Sequence, residues 1–412
     1  MIRTGFRASF DDIFANIPVN MGLNLPLVLS TTLPTSTYTW GTALNQNRSL
    51  FAADGTVPGG SRGIITFNAW DLNARTAYAM NYALEVERQL GTNYSIGISY
   101  VGSQGRKLGT FLDGNEPTVT AVVDPTRRGD QTPNQRTFPF QQYAGIFQGA
   151  FVSNSTYNGL VATFHKRAVH GISYTASYTF GRSLDDNSSF FGSDGEFGSY
   201  ADPRNRGVER GRSSFDVTHR VVATYIYELP FGPHRRWLNG VHGPLGHVIG
   251  GWDTSGIFNY RSGFPFTILA GTAFDYSGLN QFADRPNFAP GVTDITIDYS
   301  DPNNVFNCHN TGCPLFTQPV AGTIGNVGRN RFTGPTLTNM DFAVMKNFPL
   351  GETHRFQFRM DFFNIFNKVN FNLPSSNLQF SGGVPTSSTA GTITSDSNAN
   401  PRLIQFGLRL DW

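Results

Sequence analysis

Hydrophobic and polar residues alternate along several stretches of this chain, and a two-residue period gives a β-strand with unlike faces. Tyr94, Ile96, Ile98 and Tyr100 alternate with Asn93, Ser95, Gly97 and Ser99. Ile172, Tyr174, Ala176, Tyr178 and Phe180 alternate with Ser173, Thr175, Ser177, Thr179 and Gly181. The same holds for Tyr78 to Val86, for Phe356 to Phe362 against Arg355, Gln357, Arg359 and Asp361, and for Ile404 to Trp412 against Gln405, Gly407, Arg409 and Asp411. Less regular alternation runs over Ile2 to Phe10, Leu160 to Arg167, Val221 to Leu229, Val248 to Tyr260 and Leu337 to Phe348. The pattern predicts about ten strands, most of them about ten to fifteen residues long. Soluble strands cluster near five or six residues, and a tilted membrane strand needs about 9–11. Length therefore favours a membrane.

The predicted connections alternate too. Counted back from Trp412, Pro374 to Pro401 is long and Pro349-Leu350-Gly351-Glu352 tight; Arg261 to Thr336 is very long and Pro230 to Gly246 moderate. Leu184 to Ser214 is long and Val169-His170-Gly171 tight; Lys107 to Ser155 is long and Gly91-Thr92 tight; Asp11 to Ala74 is long. Short periplasmic turns alternating with long extracellular loops are the habit of outer-membrane barrels. The expected fold is all-β: an antiparallel transmembrane β-barrel segment of about ten strands. Backbone groups in a bilayer must pair within a closed sheet, so the apolar rows are expected to face lipid and Ser, Gly, Asn, Glu and Arg the lumen. Tyr94 and Tyr100 suit the aromatic girdles. The competing reading makes the apolar rows one face of a soluble core, but no helical pattern is available to cover that face.

Composition changes this picture little. Aromatic residues make up 14%, charged residues 15%, and there are 45 Gly, against roughly 25% charged in an average soluble domain. A net charge of +2 argues against nucleic acid, which needs a concentrated basic face. No apolar run is long enough for a transmembrane helix. Met1-Ile2-Arg3-Thr4-Gly5-Phe6 lacks the basic and apolar regions of a signal peptide, so an upstream start is expected.

Several sequence blocks are more specific. They are Glu209 to Arg220 running into Tyr225-Ile226-Tyr227-Glu228-Leu229-Pro230-Phe231-Gly232; Gly250 to Gly256 followed by Arg261-Ser262-Gly263-Phe264-Pro265-Phe266-Thr267; Gly325-Asn326-Val327-Gly328-Arg329-Asn330 with Gly334-Pro335 and Asn339-Met340-Asp341; and Phe356 to Asn367. Together the chain resembles, from about Gly5 to Trp412, the barrel of the Oar-like TonB-dependent transporters of acidobacterial type. The resemblance implies an N-terminal regulatory-like domain, a plug, a barrel of about 22 strands and import of a bulky nutrient driven by a periplasmic energy-coupling protein. This sequence carries neither plug nor energy-coupling box and about half the strands, so residues 1–412 are expected to be a partial barrel domain. Ile404, Phe406, Leu408, Leu410 and Trp412 resemble the C-terminal signal read by the barrel-assembly machinery.

Chemical motifs are sparse. Cys308 and Cys313 are the only cysteines; an oxidising compartment favours a disulfide between them. Asp185-Asp186-Asn187 and Asp113-Gly114-Asn115-Glu116 offer clustered oxygens but lack calcium-loop spacing, and solvated turns are the simpler expectation. Asp216, His219 and Arg220 beside Ser213 and Ser214 imitate a hydrolase constellation without a nucleophile elbow, and are read as rim hydrogen-bonding groups. Gly102-Ser103-Gln104-Gly105 is read as a loop-entry turn. Arg359, Asp361, Arg409 and Asp411 are candidate lumen charges expected to pair across the lumen. Loop aromatics Phe147, Phe190, Phe191, Phe197, Tyr200, Phe274, Tyr276, Phe282 and Phe288 are expected to pack the loops together more than to stack on solute. No cofactor, metal site or catalytic residue is expected. The partners are outer-membrane lipid, the assembly machinery, the coupling protein through a plug, and a nutrient of unreadable identity. Three functions follow: an importer barrel, a passive porin-like channel, or a surface adhesin or enzyme. The last needs a shared site among facing lumen residues, and none is visible.

Overall fold

The computed structural model describes residues 1–11, 21, 66–121, 135–140, 145–189, 200–233, 235–271, 275–279, 284–306, 315–350, 354–381, 383–386, 390–396 and 401–412. The long strands are β1 (Ile2–Phe10), β2 (Tyr78–Leu90), β3 (Tyr94–Asp113), β4 (Gly145–Val169), β5 (Ile172–Asp185), β6 (His219–Glu228), β7 (Trp252–Arg261), β8 (Leu337–Leu350), β9 (His354–Phe363) and β10 (Leu403–Asp411). Each pairs antiparallel with the next, so sheet order is chain order. Thr66–Trp70 and Gly211–Arg212 attach to β4 and β5, bringing the sheet to twelve strands. Among the described residues β1 and β10 are each paired on one side only, and the sheet is open.

Register joins the apolar rows into one face. Ile98 stands between Val86 and Ala162, Tyr225 between Tyr174 and Gly256, and Met360 between Val344 and Phe406. A slip of one residue in any pair would turn a whole strand's apolar set to the other side. The row on β10, Ile404, Phe406, Leu408 and Leu410, meets Phe362, Met360, Phe358 and Phe356. Phe406 and Leu408 remain 65% and 70% exposed, as side chains do whose neighbours are lipid tails. Trp412 follows the strand, also exposed.

Amphipathic side chains border this face at both ends. Near the short turns Lys166 lies beside Tyr94 and Tyr174, its Nζ 6.0 and 5.9 Å from their rings. Lys346 lies over Trp252 and Phe348 at 5.4 and 4.9 Å and donates to the Gly250 carbonyl. Lys346 is buried there, whereas Lys166, a cation on an apolar stem, is placed to reach toward the headgroups. Near the long loops Tyr82 and Tyr100 donate to Asn158 Oδ1 at 3.2 and 2.7 Å. Asn158 and Lys166 are separated by roughly 27 Å of strand, or about 20 Å of membrane thickness at a tilt near 40°. Ile98 falls midway. Ile98→Arg is therefore expected to cost about 2–4 kcal/mol in denaturant unfolding from phospholipid vesicles, with Ser99→Arg, on the other face, nearly neutral. Equal costs would reverse the assignment of faces.

Three segments depart from the sequence pattern. Gly102-Ser103-Gln104-Gly105 is not a turn: β3 runs 20 residues and β4 25, and their ladder continues past irregularities between Gly105 and Gly109. Glycines carry no side chain to alternate, so periodicity is silent there while backbone pairing goes on. The stretch before Trp252 is a short helix, α1 (Gly243–Ile249), with a proline in its first turn, not the beginning of a strand at Val248. Asn115 is buried and Asp113 half-buried: Asp113 Oδ1 accepts from the amides of Asn115 and Ile146 at 2.8 and 3.0 Å, and Asn115 pairs with both backbone groups of Phe140. The hairpin at His170 and Gly171 is as expected, both residues left-handed at φ 55° and 80°, the geometry that matches strand twist in a two-residue turn. Cys308, Cys313, Phe190, Phe191, Phe197, Phe274 and Phe282 lie outside the described residues.

Candidate functional site

The long connections at one end of the sheet build a cap with its own apolar core. Phe266, Tyr276, Phe306, Phe316, Phe332 and Leu378 are buried together, drawn from the segments that follow β7 and β9. Phe306 lies at the centre, with ring centroids 5.8 Å from both Phe316 and Phe332 in edge-on geometry. Short strand pairs hold the segments in place, Pro265–Phe266 with Phe332–Thr333 and Asn287–Phe288 with Phe316–Thr317. Of the expected loop aromatics, Tyr200 and Tyr276 are buried and Phe288 packs on the core, while Phe147 is half exposed. Burial pushes both tyrosine hydroxyls up to about 12, so they stay neutral; that of Tyr200 lies 2.6 Å from Ser153 Oγ.

The sequence blocks converge on a latch beneath this cap. Arg329 Nη1 donates to Asp185 Oδ1 at 2.8 Å and to the Glu209 carbonyl at 3.1 Å, and its Nη2 to Ser188 Oγ at 2.7 Å. Arg285 Nη1 meets Glu209 Oε2 at 2.9 Å, both side chains buried. Asn330, left-handed at φ 51°, donates through Nδ2 to the Arg212 carbonyl at 2.8 Å. Arg212 in turn bonds Asp216 Oδ2 at 2.8 Å and Thr333 Oγ1 at 2.6 Å. Gly325 must be glycine, since its φ is +81° and a Cβ would lie 1.8 Å from the Arg285 carbonyl oxygen. Asp185 is thus a buried partner of arginine, and Asp186 accepts from the Asn154 amide at 2.8 Å. The expectation of a solvated turn there is corrected: a carboxylate this deep needs a charged or amide partner, and the cap supplies one.

The apparent hydrolase group comes apart. Asp216 Oδ1 accepts from the Ser183 amide at 2.6 Å, and Ser213 Oγ lies 2.7 Å from Ser183 Oγ. The His219 ring is on the apolar face, its Nδ1 2.9 Å from the Tyr178 hydroxyl. Asp216, Ser213 and His219 are thus hydrogen-bonding groups, as the sequence reading has them, while the Ser214 hydroxyl is buried without such a bond among the described residues. The asparagines of the block ending at Asn367 are also structural. Asn364 and Asn367 take left-handed backbone, φ 48° and 49°, and Asn364 pairs with both backbone groups of Lys368.

Below the latch the polar face of the sheet encloses a cavity of about 1380 Å³. Tyr157, Arg220, Asn259, Arg261, Asp341 and Gln405 are among its walls. A second cavity of about 530 Å³ lies toward the short turns. Its wall includes Ile226 and Ile257, apolar residues on a face expected to be polar throughout, together with Arg359 and Asp361. Among the described residues the candidate lumen charges pair along their strand or with the neighbouring strand, where the sequence reading expected pairing across the lumen. Arg359 Nε meets Asp361 Oδ1 at 2.8 Å, and Arg409 Nε meets Asp411 Oδ1 at 2.7 Å with Arg355 of β9 at 3.2 Å. Residues two apart on a strand share a face roughly 7 Å apart, within a guanidinium's reach. The latch and the arginines at the upper rim have no periodic signature; their sequence blocks stand out only through the family resemblance.

Two solved structures are similar in outline. The outer membrane transporter YddB from Escherichia coli aligns over 100% of this chain and 38% of its own, with 9% identity and a TM-score of 0.45. The FpvAI–pyocin S2 complex aligns over 82% of this chain and 27% of its own, with 11% identity and a TM-score of 0.37. The chain therefore spans well under half the length of either. No curated protein matches the sequence. The sequence pattern that describes the outer membrane beta barrel domain matches residues 1–405, and the chain belongs to that family.

Proposed function

We propose that residues 1–412 are the barrel part of an energy-coupled, TonB-dependent importer of Oar-like type for a bulky solute. Membership of the family places the protein in the outer membrane of a Gram-negative bacterium. The observation that carries the reading is the cavity of about 1380 Å³ on the polar face of an open ten-strand run. Unpaired strand edges in hydrocarbon cost several kcal/mol per group, and in this reading the two open edges pair with further strands of a wider barrel. A barrel closed from about ten strands would hold little more than its own side chains, as eight-stranded ones do; this disfavours the passive channel. The packed cap, bound down by buried ion pairs, supports solute recognition on the outer side. The sequence resemblance supports coupling through a plug and a periplasmic protein. The terminal row Ile404, Phe406, Leu408, Leu410 and Trp412 serves as the assembly signal in the same reading.

The test is uptake by cells carrying the complete gene, using fluorescent oligosaccharides and oligopeptides too large for general porins. At least one compound is expected to enter only with the gene present, and to stop entering when a protonophore collapses the proton gradient. Entry that ignores the protonophore would make the protein a passive channel. Surface binding with no entry would make it an adhesin.

A further inference from the structure

We infer that Arg220 and Arg261 form a subsite for an oxyanion, a carboxylate or phosphate carried by the solute. The inference rests on reading the large cavity as the solute's chamber. Arg220 on β6 and Arg261 on β7 are direct register partners, and both line that cavity. Like charges directly opposite each other on a sheet are destabilising, so the pairing needs a compensating charge. Among the described residues neither guanidinium has a carboxylate partner. The acids nearest in the cavity wall are engaged elsewhere. Asp216 accepts from Arg212 and from the Ser183 amide, and Asp341 accepts from Asn339 Nδ2 and the Asn364 amide at 3.1 and 2.9 Å.

The geometry also suits an anion in shape. Arg261 Cζ lies 3.9 Å from the centroid of the Phe264 ring. Stacking holds the guanidinium plane and leaves its in-plane N–H fork free for bidentate contact with a carboxylate or phosphate. Asn259, one rung further along β7, lines the same cavity and adds an amide donor. Arg220 is exposed and Arg261 half-buried, so a solute can reach both guanidinium groups from the cavity.

The experiment is calorimetric titration of the purified full chain in detergent micelles at low salt, with citrate and separately with inorganic phosphate. Binding of at least one anion is expected, weakening as salt rises. Arg220→Gln with Arg261→Gln should reduce affinity by about tenfold or more, the loss typical of removed charged hydrogen bonds. Arg220→Lys with Arg261→Lys should retain weaker binding, and Arg182→Gln, on the opposite face, should change nothing. Which of the two anions binds decides between carboxylate and phosphate. The inference is overturned if neither anion binds, or if the glutamine variant binds as the parent does. Should the double glutamine variant not fold, as judged by heat-modifiable mobility, single Arg220→Gln and the lysine pair decide by the same criterion. The assay uses no proton gradient. Anion binding without gradient-driven uptake would keep the subsite and drop the importer; uptake without anion binding would do the reverse.

Discussion

Replacing Phe306 with alanine is expected to open the loop cap while leaving the strand sheet folded. Phe306 is buried, and its ring meets those of Phe266, Phe316 and Phe332. These neighbours come from distant parts of one long connection, fixed by the short strand pairs Pro265–Phe266 with Phe332–Thr333 and Asn287–Phe288 with Phe316–Thr317, so the surroundings cannot readily collapse into the space left behind. Truncating a core phenylalanine in such a site costs about 3–5 kcal/mol, which multiplies the open population by a factor on the order of 100 or more. Cleavage of the cap by a protease acting on its open state should accelerate by that factor. The heat-modifiable band of the folded sheet should be unchanged, because the strands contribute little to this core. Val320→Ala, at a well exposed position of the same connection, should leave cleavage as it is. If the variant loses the folded band as well, cap and sheet form one cooperative unit, and the separation of the two cores is wrong.

The second large effect is expected at Arg329. Its guanidinium makes charged contact with Asp185 and reaches the Glu209 carbonyl and Ser188, all inside the protein. Arg329→Ala strands the Asp185 carboxylate in a site that water reaches poorly, and losing one partner of a buried ion pair costs about 3–5 kcal/mol. Lysine restores the charge but not the fork, so Arg329→Lys should recover only part of the loss. The latch predicts where the damage spreads. Hydrogen exchange should rise in residues 183–189 and 205–210 as well as in 325–331, although these lie in separate connections. Faster exchange limited to 325–331 would mean that Arg329 steadies only its own loop.

The strands were legible because membrane and lumen impose opposite demands on alternate residues. Ile98 and Ser99, or Phe358 and Arg359, announce their faces without any tertiary knowledge. Legibility ends where that contrast ends. Beyond the bilayer both sides of β3 and β4 meet water or other loops, so the extension through Gly105 to Asp113 has no alternation to show. The helix α1 was missed because Val248 and Ile249 read as an apolar strand start; Gly243-Pro244, a proline in a first helical turn, was the overlooked signal. The site fared worse. Asp185 and Arg329 are remote in sequence, and nothing local to either marks a buried pair. Arg220 and Arg261 become neighbours only through strand register. The blocks carrying these residues were recognised as specific, but what they hold together is a matter of contacts between loops.

The partners in the latch are separated by 144 positions along the chain. A contact of that span carries a large loop-closure entropy until the intervening strands have paired, and non-local contacts are characteristically the slow ones to form. The order of events during biogenesis is thereby set. Hairpins such as β4–β5 can form early, whereas Arg329 cannot find Asp185 until β5 through β8 lie side by side. A chain still threading into the membrane therefore presents an unlatched outer surface. The finished cap reports that the strands beneath it have been laid down in order.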